Sequence, residues 1–313
     1  MPTLQQQQNA TLRFAPSPNG LLHLGHARSA LLNERLARQL GGKLLLRLED
    51  IDLARCSDSL AKAMLEDLGW LGVQWSGTVR RQSEHFDDYE RVLNELRERG
   101  LIYPCFASRR EIAKAVSDAE NMSGRPWPRD PDGAPVHPLS GGRLSFEDIR
   151  LRMERGEPFA WRLDMQKAIA AAAFQQTPLT FPAFTPVSLA SRGEGGEEVA
   201  AHPARWGDVV LARKDTPTSY HLSVVVDDAL QGVTHVVRGE DLLAATDIHR
   251  LLQALLGLPV PLYYHHDLVR DEFGEKLAKS RASVSLRELR ESGWTPDMAR
   301  RAACGESYVC PEI

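Results

Sequence analysis

The sequence predicts an α/β fold built on an open, mostly parallel sheet, and three observations carry that prediction. Short apolar strands alternate with amphipathic helical stretches. The second strand-like run, Lys43 to Asp50 (KLLLRLED), is apolar nearly throughout, as in a strand covered on both faces. Chemistry-bearing residues fall where such strands end, at Pro16 to Gly20 and at Glu49 and Asp50, and open sheets bind ligands outside the carboxyl ends of their strands.

Residues 1 to 10 read as a flexible, Gln-rich tail. Residues 11 to 26, TLRFAPSPNGLLHLGH, run from a strand (Leu12 to Ala15) through a Pro/Gly turn into a helix of about 23 to 40 with an apolar stripe at Leu21, Leu24, Ala27 and Leu31. This aims a helix N-terminus, an anion-binding element, at the edge of the sheet. His23 and His26 share one helical face. With only Gly25 between them, a nucleotide could lie against the backbone while both imidazoles reach its phosphates.

Gly41 and Gly42 stop that helix ahead of the second strand. A helix follows from about Ser57, with Ser57 and Asp58 as cap candidates and Leu60, Met64, Leu65 and Leu68 as its stripe; residues 83 to 99 form another, and LIYPCF a short strand. Asp50 and Asp52 read as further cap candidates. Residues 11 to 106 thus read as the first half of an α/β core. Residues 107 to 205, crowded with Pro and Gly over 121 to 144, read as an α+β insertion with helical pieces at about 108 to 118 and 145 to 155. The second half, 206 to 265, holds DVVLAR, the helix SYHLSVVVDDAL, the strand THVVRG, a helix from Thr246 to Leu256 and the strand PLYYHHDLV. Residues 266 to 313 carry the segment KLAKS and short helices. Lys276 and Lys279 bring two ammonium groups into a Gly/Ser-flanked loop able to close on a triphosphate and stabilise departing pyrophosphate.

Composition narrows the class. A chain of 313 residues, 42% hydrophobic and 26% charged, can bury a sizeable core. A net charge of −4 argues against bulk electrostatic binding of nucleic acid. The N-terminus has no basic start, and no run approaches the roughly 20 apolar residues of a membrane span, so a cytoplasmic location without membrane contact is expected. Cys56, Cys105, Cys304 and Cys310 follow no CxxC spacing, which points to free thiols. GxGxxG and GxxxxGK[ST] are both absent, which removes dinucleotide-oxidoreductase and P-loop readings.

APSPNGLLHLGH, RLEDID, SYHLSVVVDDALQGVTHVVRGEDLL and KLAKS, in that order, resemble the class I glutamyl-tRNA synthetase catalytic domain over residues 12 to 106 and 206 to 285. HLGH corresponds to the family's HIGH motif and KLAKS to its KMSKS loop. The resemblance implies a Rossmann-type catalytic domain with a short helical C-terminal stem-contact region, using ATP with Mg²⁺. A chain that stops soon after KLAKS, with no anticodon-binding domain, resembles the branch of glutamyl-queuosine tRNA(Asp) synthetases. These activate L-glutamate without tRNA and transfer it to queuosine, the modified wobble base of tRNA(Asp); a monomer is expected. A charging enzyme for tRNA(Glu) without an anticodon domain, and a non-catalytic paralogue binding tRNA or nucleotide, are the alternatives.

Carried over position by position, the resemblance makes His23, His26, Lys276 and Lys279 the catalytic set, with Gly25, His23, His26 and Lys279 on ATP. Arg13, Ala15, Ser17, Glu49, Tyr220 and Arg238 form the glutamate site. Arg13 and Arg238 are its carboxylate clamps, in a first assignment to the side chain and the α-carboxylate respectively. Glu49, with the Ala15 backbone and Ser17, takes the ammonium. Relatives carry a Cys/Tyr zinc site in the insertion, but here Ala107 stands after Cys105 and no further cysteine comes before Cys304, so no structural zinc or other protein-bound metal is expected. Arg109, Arg110, Lys114, Arg125 and Arg129 are candidate phosphate contacts, and Asp227 and Asp228 candidate partners of the insertion's arginines.

Overall fold

The computed structural model describes residues 10–138, 144–185, 196–269 and 284–304. Strands β1 (Thr11–Phe14) and β2 (Lys43–Leu48) pair in parallel, Leu12 opposite Leu44 and Phe14 opposite Leu46, with helix α1 (Leu24–Gln39) crossing between them. Gly41 ends that crossover at a positive φ of 61°, and Gly42 follows where any Cβ would strike the Ala10 carbonyl, so two glycines are needed to lay β2 beside β1.

Helix α2 (Asp58–Trp70) is capped by Ser57, whose hydroxyl accepts from Leu60 N. Asp50 and Asp52 do not cap it. Asp50 accepts from Ser83 N and Oγ and from Arg81, and Asp52 pairs with Arg55. After β3 (Arg80–Arg81), α3 (Phe86–Glu98) leads to β4 (Ile102–Cys105), α4 (Arg109–Ser123), α5 (Phe146–Glu154), β5 (Ala160–Leu163), α6 (Met165–Phe174), β6 (Thr180–Ala183), β7 (Glu197–Ala200) and β8 (Val210–Arg213). Helix α7 (Tyr220–Leu230), β9 (His235–Gly239), α8 (Thr246–Leu256), β10 (Leu262–His266), α9 (Leu286–Glu291) and α10 (Pro296–Cys304) complete the described strands and α-helices.

The main sheet has seven strands in the order β3-β2-β1-β9-β10-β6-β7, parallel throughout except for β6 with β7. Strand order turns around between β1 and β9, the switch point at which open α/β sheets form a ligand crevice. A second, antiparallel sheet runs β4-β5-β8. This alters the expected division. Residues 107–205 are not one inserted body, because β6 and β7 extend the main sheet; and β4 and β8, expected in the parallel core, belong instead to the small sheet. The cause is pairing across the sequence: β5, from the middle of the stretch, takes β4 and β8 as its two neighbours.

Alternation along the strands then sorts the sheet's two faces. Leu12, Phe14, Leu44, Leu46, Leu48 and Val237 pack with α1, α2, α9 and α10 into one apolar core. The residues between them, Arg13, Arg47 and Arg238, fall on the opposite face, under α7 and α8. The near-continuous apolar run of β2 is thus interrupted by a fully buried arginine on the face that bears the chemistry.

Candidate active site

A cavity of about 430 Å³ opens at the C-terminal ends of β1, β9 and β10. It gathers Arg13, Ala15, Ser17, His23, Gly25, His26, Glu49, Tyr220 and Arg238 from four separate parts of the chain. Lys276 and Lys279 lie outside the described residues. The chain resumes beyond them directly against the histidine segment, where Leu286 N donates to Leu22 O at 2.7 Å and Ser285 bridges to His23.

The two histidines are set by the helix they begin. His23 is the N-cap of α1: its Nδ1 accepts from Gly25 N at 3.1 Å, while His26 Nδ1 accepts from His23 N at 3.2 Å. This is a reciprocal capping box made of imidazoles. A ring nitrogen that accepts carries no proton, so in the neutral ring Nε2 of each is the donor, the form suited to phosphate oxygens. Gly25 has a second reason to be glycine. A Cβ there would sit 2.9 Å from His23 Cε1 and displace the capping ring.

Arg13 sits in a network of charges. Its Nε meets the Asp228 carboxylate at 3.1 and 3.4 Å, and Asp228 also binds Arg47 Nη2 at 2.9 Å. Arg47 reaches Glu49 at 3.3 Å, and Asp227 takes Arg80, Gln82 and Tyr89. Asp227 and Asp228 therefore serve the core arginines rather than those of the insertion, because the last turn of α7 lies over the polar face of β1 and β2. Burial alone would raise the Asp228 carboxyl, but Arg13 and Arg47 outweigh it and hold it below the usual range. Burial likewise opposes the Arg47 charge, yet Asp228, Glu49 and Asp227 keep it firmly protonated. Glu49 goes the other way: burial lifts its carboxyl above the ordinary value despite Arg47 and Arg13.

Arg238 is held differently. Nε donates to His265 Nε2 at 3.2 Å, Nη1 to His249 Nδ1 at 3.1 Å and to the Tyr220 hydroxyl at 3.3 Å, and Nη2 to Thr246 Oγ1 at 2.7 Å. The guanidinium also lies 5.5 Å from the centre of the Tyr263 ring. No carboxylate among the described residues pairs with it. Four of its five N–H groups are thus taken by neutral acceptors, which leaves one on Nη2, while the Tyr220 hydroxyl, accepting from Arg238, keeps its own proton to donate. Arg13 uses only Nε on Asp228, so its Nη1/Nη2 fork is the bidentate one.

Sequence reasoning missed Arg47, Thr246, His249 and His265, and it gave Asp228 other partners than the Arg13 and Arg47 it meets. Thr246 and His249 stand three apart, on one face of a predicted helix, and that spacing was the available signal. In the insertion, Lys114 pairs with Asp118 at 2.7 Å and Arg129 donates to Gly133 O, so both are engaged within their own segments. Cys105 Sγ lies 3.4 Å from His137 Nε2, and no group of three or more His, Cys, Asp or Glu among the described residues is arranged to hold a metal ion. No helix among those residues is long and apolar enough to cross a membrane. A second cavity, of about 510 Å³, shares Ser17, Asn19, Glu49 and Tyr220 with the first and extends toward the small sheet at Arg162, Asp208 and His137.

Comparison with known proteins bears on the family and the fold. Residues 9–176 and 193–305 match the family described as tRNA synthetases class I (E and Q), catalytic domain. The chain is 46% identical over 290 residues to a glutamyl-Q tRNA(Asp) synthetase of Rhodobacter capsulatus, covering 92% of this chain and 98% of that protein. It is 35% identical over 301 residues to a glutamate–tRNA ligase of Aquifex aeolicus, 96% of this chain but 58% of the ligase. A crystal structure of a glutamate tRNA ligase from Elizabethkingia meningosepticum, in complex with its amino acid, shares the fold at a TM-score of 0.72 and 24% identity, over 95% of this chain and 61% of that one.

Proposed function

The chain belongs to the class I tRNA synthetases of glutamate and glutamine, a ligase family, and from that premise we propose that it activates L-glutamate with ATP, without tRNA, and passes the glutamyl group to the queuosine wobble base of tRNA(Asp). One observation carries the activation step: two buried guanidiniums, a phenol and the paired imidazoles of α1 converge on a single cavity at the switch point of the sheet. The name of the Rhodobacter capsulatus relative supports the acceptor.

Arg238 and Tyr220 take the side-chain carboxylate. That is the group separating glutamate from its amide, and the cation without a carboxylate neighbour discriminates most strongly between them. This exchanges the first assignment. Arg13, whose charge is shared with Asp228, completes the anion-binding wall with its outward fork. The ammonium meets Glu49, Ser17 and the Ala15 backbone, and its positive charge favours the ionised Glu49 carboxylate against the burial that opposes it.

ATP enters with its Mg²⁺ as substrate, and the Nε2–H groups of His23 and His26 meet its phosphates beside Gly25. The glutamate α-carboxylate attacks the α-phosphate; an acyl–phosphate bond forms, and the bond to pyrophosphate breaks with Lys276 and Lys279 stabilising the leaving charge. A hydroxyl of the queuosine diol, reaching in through the second cavity, then attacks the acyl carbon; the new ester bond forms, the acyl–phosphate bond breaks, and AMP departs with its phosphate taking the hydroxyl proton. No protein nucleophile is required; the protein orients and stabilises charge.

The test is transfer of radiolabelled glutamate, with ATP, to total tRNA from queuosine-containing and queuosine-free cells. Label confined to queuosine-containing tRNA(Asp) is expected. Equal label on tRNA(Glu) from both sources would instead assign ordinary charging, the reading favoured by the likeness to the Aquifex aeolicus ligase. Lys279→Ala should lower glutamate-dependent pyrophosphate exchange by roughly 10² to 10³; a loss below about threefold removes that lysine from the mechanism.

A further inference from the structure

We propose that His249 is a positioning residue that holds Arg238 through a neutral acceptor, so that the guanidinium charge stays available to the carboxylate of the substrate. The inference rests on the glutamate-binding reading above and deepens it. His249 lines neither cavity, so it acts on the glutamate site through Arg238, which it touches and which does line the first cavity.

The hydrogen bonds fix the protonation pattern. An arginine in a protein is always protonated and only donates, so each ring nitrogen facing it must present a lone pair. His249 Nδ1 and His265 Nε2 therefore accept from Arg238, at 3.1 and 3.2 Å. The His249 proton then resides on Nε2, which lies 3.3 Å from His221 Nδ1 and donates to it. His221 in turn packs edge-on against Trp206. An imidazole chain, Arg238 to His249 to His221, leads from the wall of the first cavity to that of the second, which His221 lines, and every member after the arginine is neutral.

Burial, then Arg238 itself, keeps these rings uncharged: His221 is pulled down to about 4, His265 to about 3, and His249 well below its ordinary value. The remaining groups in hydrogen-bond or ring contact with the guanidinium are Thr246, Tyr220 and the Tyr263 ring, none of them anionic; the carboxylates of Glu49 and Asp241 line the same cavity without pairing with it. A buried arginine is more commonly paired with a carboxylate, as Arg13 is here. A carboxylate at residue 249 would satisfy the same N–H and fix the same rotamer. It would also cancel the charge that binds substrate. Neutral imidazole supplies the position without the counter-charge.

This separates an isosteric pair of variants. His249→Asn offers a neutral oxygen near the position of Nδ1, His249→Asp an anionic one, and His249→Leu none. In glutamate-dependent ATP–pyrophosphate exchange, with the melting temperature recorded for each, His249→Asn is expected within threefold of the wild-type KM for glutamate. His249→Asp and His249→Leu should raise it at least tenfold with KM for ATP unchanged and kcat altered less than threefold, and His249→Asp should also narrow the preference for glutamate over glutamine. Equal behaviour of the Asn and Asp variants, or a Leu variant that matches wild type, overturns the proposal. Should His249→Asp melt below assay temperature, His265→Gln and His265→Glu ask the same question from β10, and equal KM values there overturn it as well. The wild type separates the two readings. If another amino acid bearing a second carboxylate replaces glutamate in exchange, the substrate assignment fails while the same series, run on that acid, still tests His249; if no such acid supports exchange, Arg238 is not a carboxylate clamp and the proposal falls.

Discussion

Arg13 and Arg238 reach one cavity from neighbouring parallel strands, on the same face of the sheet and with 4% and 5% of their surface exposed, yet their surroundings are opposite. Arg13 is bound to Asp228 within a chain of alternating charges that runs through Arg47 to Glu49. Arg238 is surrounded by imidazoles, a hydroxyl and a phenol. A buried ion network contributes rigidity and spends its charge internally, whereas a neutral cradle gives up that pairing and keeps the charge for a ligand. Under the proposed function, the first arrangement builds the wall and the second reads the substrate.

The comparison can be broken first at Asp228. Asp228→Asn leaves Arg13 and Arg47 facing each other with less compensation, and unfolding free energy should fall by about 3–5 kcal/mol in denaturant titration. A loss under about 1 kcal/mol would mean that the network is ornamental to stability. Next is Arg238→Ala. Because its neighbours are neutral, the fold should tolerate the change, while the KM for glutamate rises by roughly 10² to 10³; an unchanged KM would assign substrate binding to Arg13 alone.

Acid tests the cradle by itself. The unfolded chain protonates its histidines near pH 6.5, the folded chain only near 4 at His221 and 3 at His265, so folding is disfavoured progressively as pH falls through that window. His221 alone should cost on the order of 3 kcal/mol by pH 4. Asp228, held below the usual carboxylate range, keeps its charge until more acid conditions, so the Arg13–Asp228–Arg47 part of the network stays intact over the same interval. Hydrogen exchange should therefore show α8 losing protection before β1 between pH 6.5 and 4.5, and simultaneous loss would contradict the division. Smallest is Tyr220→Phe, which removes one neutral donor next to Arg238 and should raise the KM for glutamate about 3- to 10-fold. No change would take the phenol out of the site.

The strand–turn–helix start and the glycine pair that closes the first crossover were legible because they are local: turn chemistry and apolar spacing act within a few residues. For the same reason HLGH and the THVVRG strand could be located exactly enough to name His23, His26 and Arg238, and the structure brings all three to one cavity. The division of the stretch 107–205 was not legible. Whether a four-residue strand such as Thr180–Ala183 joins one sheet or another depends on which distant edge is open to it, and β6 found β10.

By itself the sequence determined the α/β fold, most of the elements outside residues 107–205, and residue types suited to an amino acid, a triphosphate and developing charge. Only the tertiary structure decided what each of those residues is worth. DD in SYHLSVVVDD and H in TDIHR say nothing of their partners, since Asp228 lies 215 residues from Arg13 and His249 comes from a helix across the face of the sheet. The charge an arginine offers a ligand depends on what else lies within hydrogen-bond reach of it in a place without water, and that is set by packing between elements far apart in the chain.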